Sequence, residues 1–265
     1  MADGSNNPLS SWPPRAMPVK HWPWRAIALT ALLGLAVTPV VASDQLRQVL
    51  ISRRCVGCNL SGMVLAGANL EDADLTGANL AGANLSQARL PRAQLPQADL
   101  RQANLSQAVI SQANLSEADL AGANLDRATL TGSRLVNVHA PGVNLANAEA
   151  RNSNWSGSDL SDSRMDGASL AQAGLAQANL SRVTLTEGRL YRANLIGARL
   201  EEADFTGADL RQVLIRDALV TGANFTDADL LGANVARTDF STARFCNTRM
   251  ANGEIDNRDC PTPSP

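Results

Sequence analysis

Residues 73–82 read ADLTGANLAG, two five-residue units that each run small residue, Asp or Asn, Leu, and two further residues. Leu75 and Leu80 belong to a series that takes every fifth position from Leu60 to Ile255 without insertion or deletion. Of its 40 members 26 are Leu, and all others are Ile, Val, Met, Phe or Trp except Ala140 and Ala150, so one architecture runs through the whole segment. Two residues ahead of each member, from Cys58 to Gly253, runs a second series of mostly small residues. It is Ala at 26 of the 40 places, which calls for a narrow interior.

A strand repeats its sidedness every 2 residues and a helix every 3.6, so a strict period of 5 belongs to neither. It fits a coil in which each unit forms one side and then turns a corner, successive coils burying one another's inner surface. Ala and Leu, alternating as Ala68 and Leu70 do, face inward from a short extended piece, and the Asn or Asp between them faces out. Four units close a square of 20 residues, so residues 57–256 make roughly ten coils, about 48 Å long at ~4.8 Å per rung. Phe205, Phe225 and Phe245 are then expected to stack in one interior column.

The runs ANLSQ at 103–107, ANLSE at 113–117, ADLTG at 73–77 and ANLAG at 78–82 resemble the pentapeptide repeat family. That resemblance implies an all-β fold, a right-handed quadrilateral parallel β-helix (a β-solenoid). It covers about three quarters of the chain and, because the motif records packing, implies little about activity. FCNTRMANGEIDNRDC at 245–260 is similar to the C-terminal cap of exported cyanobacterial-type members, and LISRRCVGCNLSG at 50–62 to their N-terminal junction.

Residues 26–42 are apolar, follow Arg15, Lys20 and Arg25, and end in Val40, Val41 and Ala42. Residues 1–42 read as a secretory signal cleaved after Ala42, or as an uncleaved membrane anchor, since 17 residues lie at the lower limit for spanning. A start at Met17 would give a compact signal of 26 residues. The expected location is an exported one, periplasm or thylakoid lumen, with anchoring facing that compartment as the alternative. Residues 43–56 read as a short amphipathic capping helix, capped by Ser43 or Asp44, with Leu46, Val49 and Leu50 on one face. Residues 257–265 complete the C-terminal cap. Removing residues 1–42 leaves a net charge of about −4, with every remaining cation an arginine, scattered singly or in pairs. This argues against direct nucleic-acid binding, which needs a concentrated positive stripe.

All four cysteines lie at the ends of the repeat. Cys55 and Cys58 have the spacing of a thiol redox motif but follow a helix instead of opening one, so a structural disulfide or core packing is the first reading, with redox or metal chemistry as alternatives. Zinc would need two more ligands, and His139 lies mid-repeat. In an oxidising compartment, a bond between Cys246 and Cys260 would close a loop of about 15 residues and contribute roughly 3 kcal/mol.

No nucleophile arrangement, phosphate loop or dinucleotide fingerprint is present, and the acidic groups Glu71-Asp72 and Glu201-Glu202 with Asp204 read as solvated wall residues. Neither catalytic residues, nor a cofactor, nor a metal site is expected. The pattern weakens between 133 and 165, where Ala140 and Ala150 would leave voids unless Val138, Val143 or Trp155 fill them. Tyr191, Ile196, Leu214, Leu219 and Leu231 lie off the five-residue series as outward apolar residues, a candidate protein contact. The expected role is a non-catalytic exported structural or protein-interaction scaffold, its partner an unidentified protein. An envelope-anchored scaffold is one alternative. The other, implied by the resemblance, is a DNA mimic that binds topoisomerase, against which the mild charge and the signal-like segment weigh.

Overall fold

A computed structural model describes residues 44–261. The signal or anchor at 1–42, the Met17 start and the Ser43 cap lie outside these residues.

Each repeat is built by three sets of hydrogen bonds. The large apolar residue of each unit donates up the stack, as Leu60 N–H does to Asn79 O (2.7 Å), and Asn79 N–H returns to Cys58 O (2.8 Å). A tight turn closes beneath, as in Ala73 N–H to Leu70 O at 3.0 Å. The bridging Asn or Asp also ties down this turn: Asn79 Oδ1 accepts from Ala81 N–H and Asp119 Oδ1 from Ala121 N–H, both at 3.0 Å. Such side-chain turns are a property of Asn and Asp, which explains their place before Leu. Every fifth residue from Gly57 to Arg237 takes a positive φ at the second turn position, Gly77 at +61° and Gln107 at +58° alike.

Bridges pair residue i with i+20, from Arg54↔Asp74 to Asp229↔Arg249, in four columns. We name the faces by their first bridging residue: face 1 from Arg54, face 2 from Asn59, face 3 from Val64 and face 4 from Asn69.

The all-β class, with its right-handed quadrilateral parallel β-helix or solenoid, is corrected by the secondary structure. Among the described residues the strands are β1 (Thr248–Arg249) and β2 (Ile255–Asp256), an antiparallel pair forming an open two-stranded sheet that does not curl on itself. The reason lies in the period: two of every five residues are spent on the turn, so each side offers one bridging residue and no strand extends. The repeat is therefore a stack of turns joined by isolated parallel bridges.

The helical segment at 44–52 also departs from the expected amphipathic helix, because Gln48–Ser52 is a π-helix. Val49 is fully buried and Leu46 packs on the core, but Leu50 is exposed. The wider π turn carries residue 50 away from the face that Leu46 and Val49 share.

The core holds the Leu and Ala columns. Phe205 and Phe225 stack at 5.2 Å between ring centroids, Phe225 and Phe245 at 5.5 Å, and Phe240 meets Phe225 edge-on. Trp155 is wholly buried beside the small residues of the weak stretch. Ser158 makes a second local adjustment: its hydroxyl accepts from Val138 N–H (3.2 Å) and donates to Leu135 O (2.7 Å), spanning the turn one coil below. At the ends, Cys55 is bonded to Cys58 and Cys246 to Cys260.

Candidate interaction surface

The outer surface is largely self-neutralised. Arg92 donates to Glu71 (2.7 Å) and Asp72 (2.8 Å), so the first acidic pair is occupied by one guanidinium. Arg182 holds Asp162 at 2.7 Å, and Arg237 holds Asp217 one coil below it. In each case the arginine's hydrogen bond lowers the carboxyl pKa. Glu201 accepts from Ser181 and pairs with Arg199. His139 stands between Asp119 and Asp159 in the face 2 column, its Nδ1 3.7 Å from Asp159. Among the described residues no group of three or more His, Cys, Asp or Glu is placed to hold a metal ion, and none of the four thiols is free.

The five outward apolar residues are spread over four neighbouring columns. Leu214 lies on face 1 and Leu219 on face 2, 38% and 53% exposed, and Ile196 sits in the turn between those faces. Tyr191 and Leu231 occupy the turn between face 4 and face 1, where they line a groove of about 480 Å³.

That groove comes from a change in side-chain size along two columns. On the turn column, Ala171 falls between Arg151 and Tyr191; on face 4, Ser169 falls between Glu149 and Arg189. The two small residues leave a hollow flanked by long side chains, and Gly232 opens it again beyond Arg211. Glu149 crosses the hollow to receive both Arg151 (3.2 Å) and Arg189 (3.3 Å). Ser169, almost fully buried, accepts from Arg151 at 2.9 Å.

Tyr191 is the chain's one tyrosine and is held on several sides. The guanidinium of Arg192 lies 5.0 Å from its ring centroid and that of Arg211 5.8 Å away, both within cation–π range. Its hydroxyl donates to Gln212 Oε1 (3.3 Å), which also accepts from Arg192 Nε at 2.7 Å. Arg211 is fixed by Asp209 at 2.7 Å, whose pKa that hydrogen bond lowers. Arg192 makes no ion pair among the described residues.

Tyr191 and Leu231 stand out in the sequence because they are apolar at outward positions. The arginines and the hollow do not. A drop to Ala or Ser at one outward position becomes visible only once residues 20 apart are aligned.

Among solved structures, the chain is similar to HetL, a pentapeptide repeat protein involved in heterocyst differentiation regulation in the cyanobacterium Nostoc, with 28% identity over 81% of this chain and 98% of that one (TM-score 0.38). It is similar to Rfr23 of the cyanobacterium Cyanothece at 32% identity over 48% of this chain and 97% of that one (TM-score 0.36). A pentapeptide repeat protein of the Arabidopsis thaliana thylakoid lumen is 30% identical over 39% of this chain and 65% of that one (TM-score 0.24). A search of curated proteins finds no match. The family model described as pentapeptide repeats matches in eight copies, at residues 54–91, 98–137, 142–174, 173–212 and 212–247. These segments take in well over half of the sequence, and the chain belongs to the pentapeptide repeat family.

Proposed function

We propose that the chain is a non-catalytic, exported interaction scaffold that engages a protein partner through the groove at Tyr191. The observation that carries this reading is Tyr191, its ring in cation–π range of Arg192 and Arg211, beside a hollow lined by Ser169 and Ala171. Tyrosine and arginine supply a disproportionate share of binding energy at protein interfaces, and a side chain already held in place loses little entropy on binding. No helix among the described residues is long and apolar enough to cross a membrane. Two disulfides favour an oxidising compartment, periplasm or thylakoid lumen. The DNA-mimic alternative is disfavoured by the pairing of Asp72, Asp162 and Asp217 with arginines, which breaks up continuous acidic rows.

Fractionation of the host with N-terminal sequencing of the recovered protein tests export. A mature N-terminus near Ser43 in the exported fraction is expected. Purely cytosolic recovery with residues 1–42 intact would contradict it.

A further inference from the structure

We infer that the groove between face 4 and face 1 binds an extended acidic peptide segment of about six residues, its carboxylates on the arginines and an apolar side chain toward Leu231. This inference rests on the scaffold reading and adds the chemistry of the partner.

Charge sets the ligand class. Arg151, Arg189 and Arg211 line the groove against Asp209, with Glu149 bridging Arg151 and Arg189 at its edge and Arg192 joined to it through the lining residues Gln212 and Tyr191. Glu149 is shared by two guanidiniums, and Arg192 hydrogen-bonds one amide oxygen and no carboxylate among the described residues, so guanidinium donors remain for a ligand. This is a local positive excess on a chain whose net charge is −2. Guanidinium and carboxylate match in shape and form charge-assisted paired hydrogen bonds.

Dimensions set the form. From Arg151 to Leu231 the turn column climbs four coils of 20 residues, about 19 Å at ~4.8 Å per rung. An extended peptide covers that span in about six residues at ~3.3 Å each. The floor of Ser169, Ala171 and Gly232 gives a main chain room to lie low, and Tyr191 and Leu231 offer apolar surface along the way.

The test uses the full-length protein, disulfides intact, and a fluorescein-labelled peptide EDESLL read by fluorescence anisotropy, with QNQSLL as the uncharged probe. EDESLL is expected to bind at least about tenfold more tightly than QNQSLL and to weaken as salt rises. Arg192→Gln and Arg189→Glu should each lose about tenfold, while Arg89→Glu, five coils away on face 4, keeps wild-type binding. Circular dichroism melts of the variants separate lost binding from lost folding. Equal binding of the two peptides, no binding of EDESLL, or a tighter fit for a single-stranded oligonucleotide would each overturn the inference. If a protein adduct forms at Tyr191 in the native compartment while EDESLL fails, the peptide chemistry is wrong and the scaffold reading stands; absence of any adduct removes that reading as well.

Discussion

The indole Nε1–H of Trp155 donates to Ser153 Oγ at 2.7 Å, and that hydroxyl donates in turn to Ala150 O at 2.5 Å. Both side chains are buried, so the serine satisfies a group that an alanine, the usual residue at this step, would leave without a partner. Ser153→Ala should therefore destabilise by about 1–3 kcal/mol although it restores the common motif. In a urea-denaturation double-mutant cycle with Trp155→Leu, the two effects should fall well short of additive. Simple additivity would mean the hydrogen bond contributes nothing.

Phe225 lies between Phe205 and Phe245 in one interior column, where the other coils place Leu or, at 165, Met. Phe225→Ala should cost about 3–5 kcal/mol through the cavity it leaves. Phe225→Leu should cost less than about 1.5 kcal/mol, because the column accepts that shape elsewhere. Thermal melts of the two variants would distinguish a packed stack from an incidental one.

At Gly62 a methyl group would meet nothing within 4 Å, so Gly62→Ala isolates the conformational cost of φ +64°, about 1 kcal/mol. At Gly157, φ +70°, the same methyl would collide with the Asn137 side-chain oxygen one coil below. The second variant should melt lower than the first, unless Asn137 turns aside without loss.

The carboxyl groups of Asp72, Asp162 and Asp217 have pKa values lowered by hydrogen bonds from Arg92, Arg182 and Arg237. A lowered folded-state pKa gives stability that is fully present above the unfolded value of about 3.9 and is lost as pH falls through the folded one. The melting temperature should hold from neutral pH to about pH 5 and drop below pH 4. The drop should be shallower in Asp72→Asn and at high salt, since these pairs are exposed.

The bond between Cys246 and Cys260 closes a longer loop than the one between Cys55 and Cys58, with sequence separations of 14 and 3. Replacing the C-terminal pair with serine should cost roughly 3 kcal/mol and the N-terminal pair about 2 kcal/mol. Hydrogen exchange should show the C-terminal loss concentrated in the coil beneath β1 and β2.

Inward residues are legible from sequence because each answers to a neighbour at a fixed spacing. Thus the Phe column and the burial of Trp155 follow from counting in fives and twenties. Strand content was less accessible: one bridging residue per side satisfies the hydrogen bonds without extending a strand, so a family-level β-helix label overstates the sheet. Outward residues other than those that close the turn answer mainly to solvent, so their identities vary from coil to coil. Cys55 and Cys58 sit inside the register, yet their bonding depends on oxidation as well as on place. Ser169 and Ala171 look unremarkable until Arg151, Arg189 and Tyr191 are found around them.

The most direct measurement places a photocrosslinking amino acid at position 191 of the exported protein, with the same label at position 69 as a reference on face 4, and irradiates it in its native compartment. A discrete protein adduct from position 191, absent from position 69 and lost in the Arg192→Gln background, is the predicted result. Adducts from neither position, or the same adducts from both, would contradict a protein-binding groove at Tyr191.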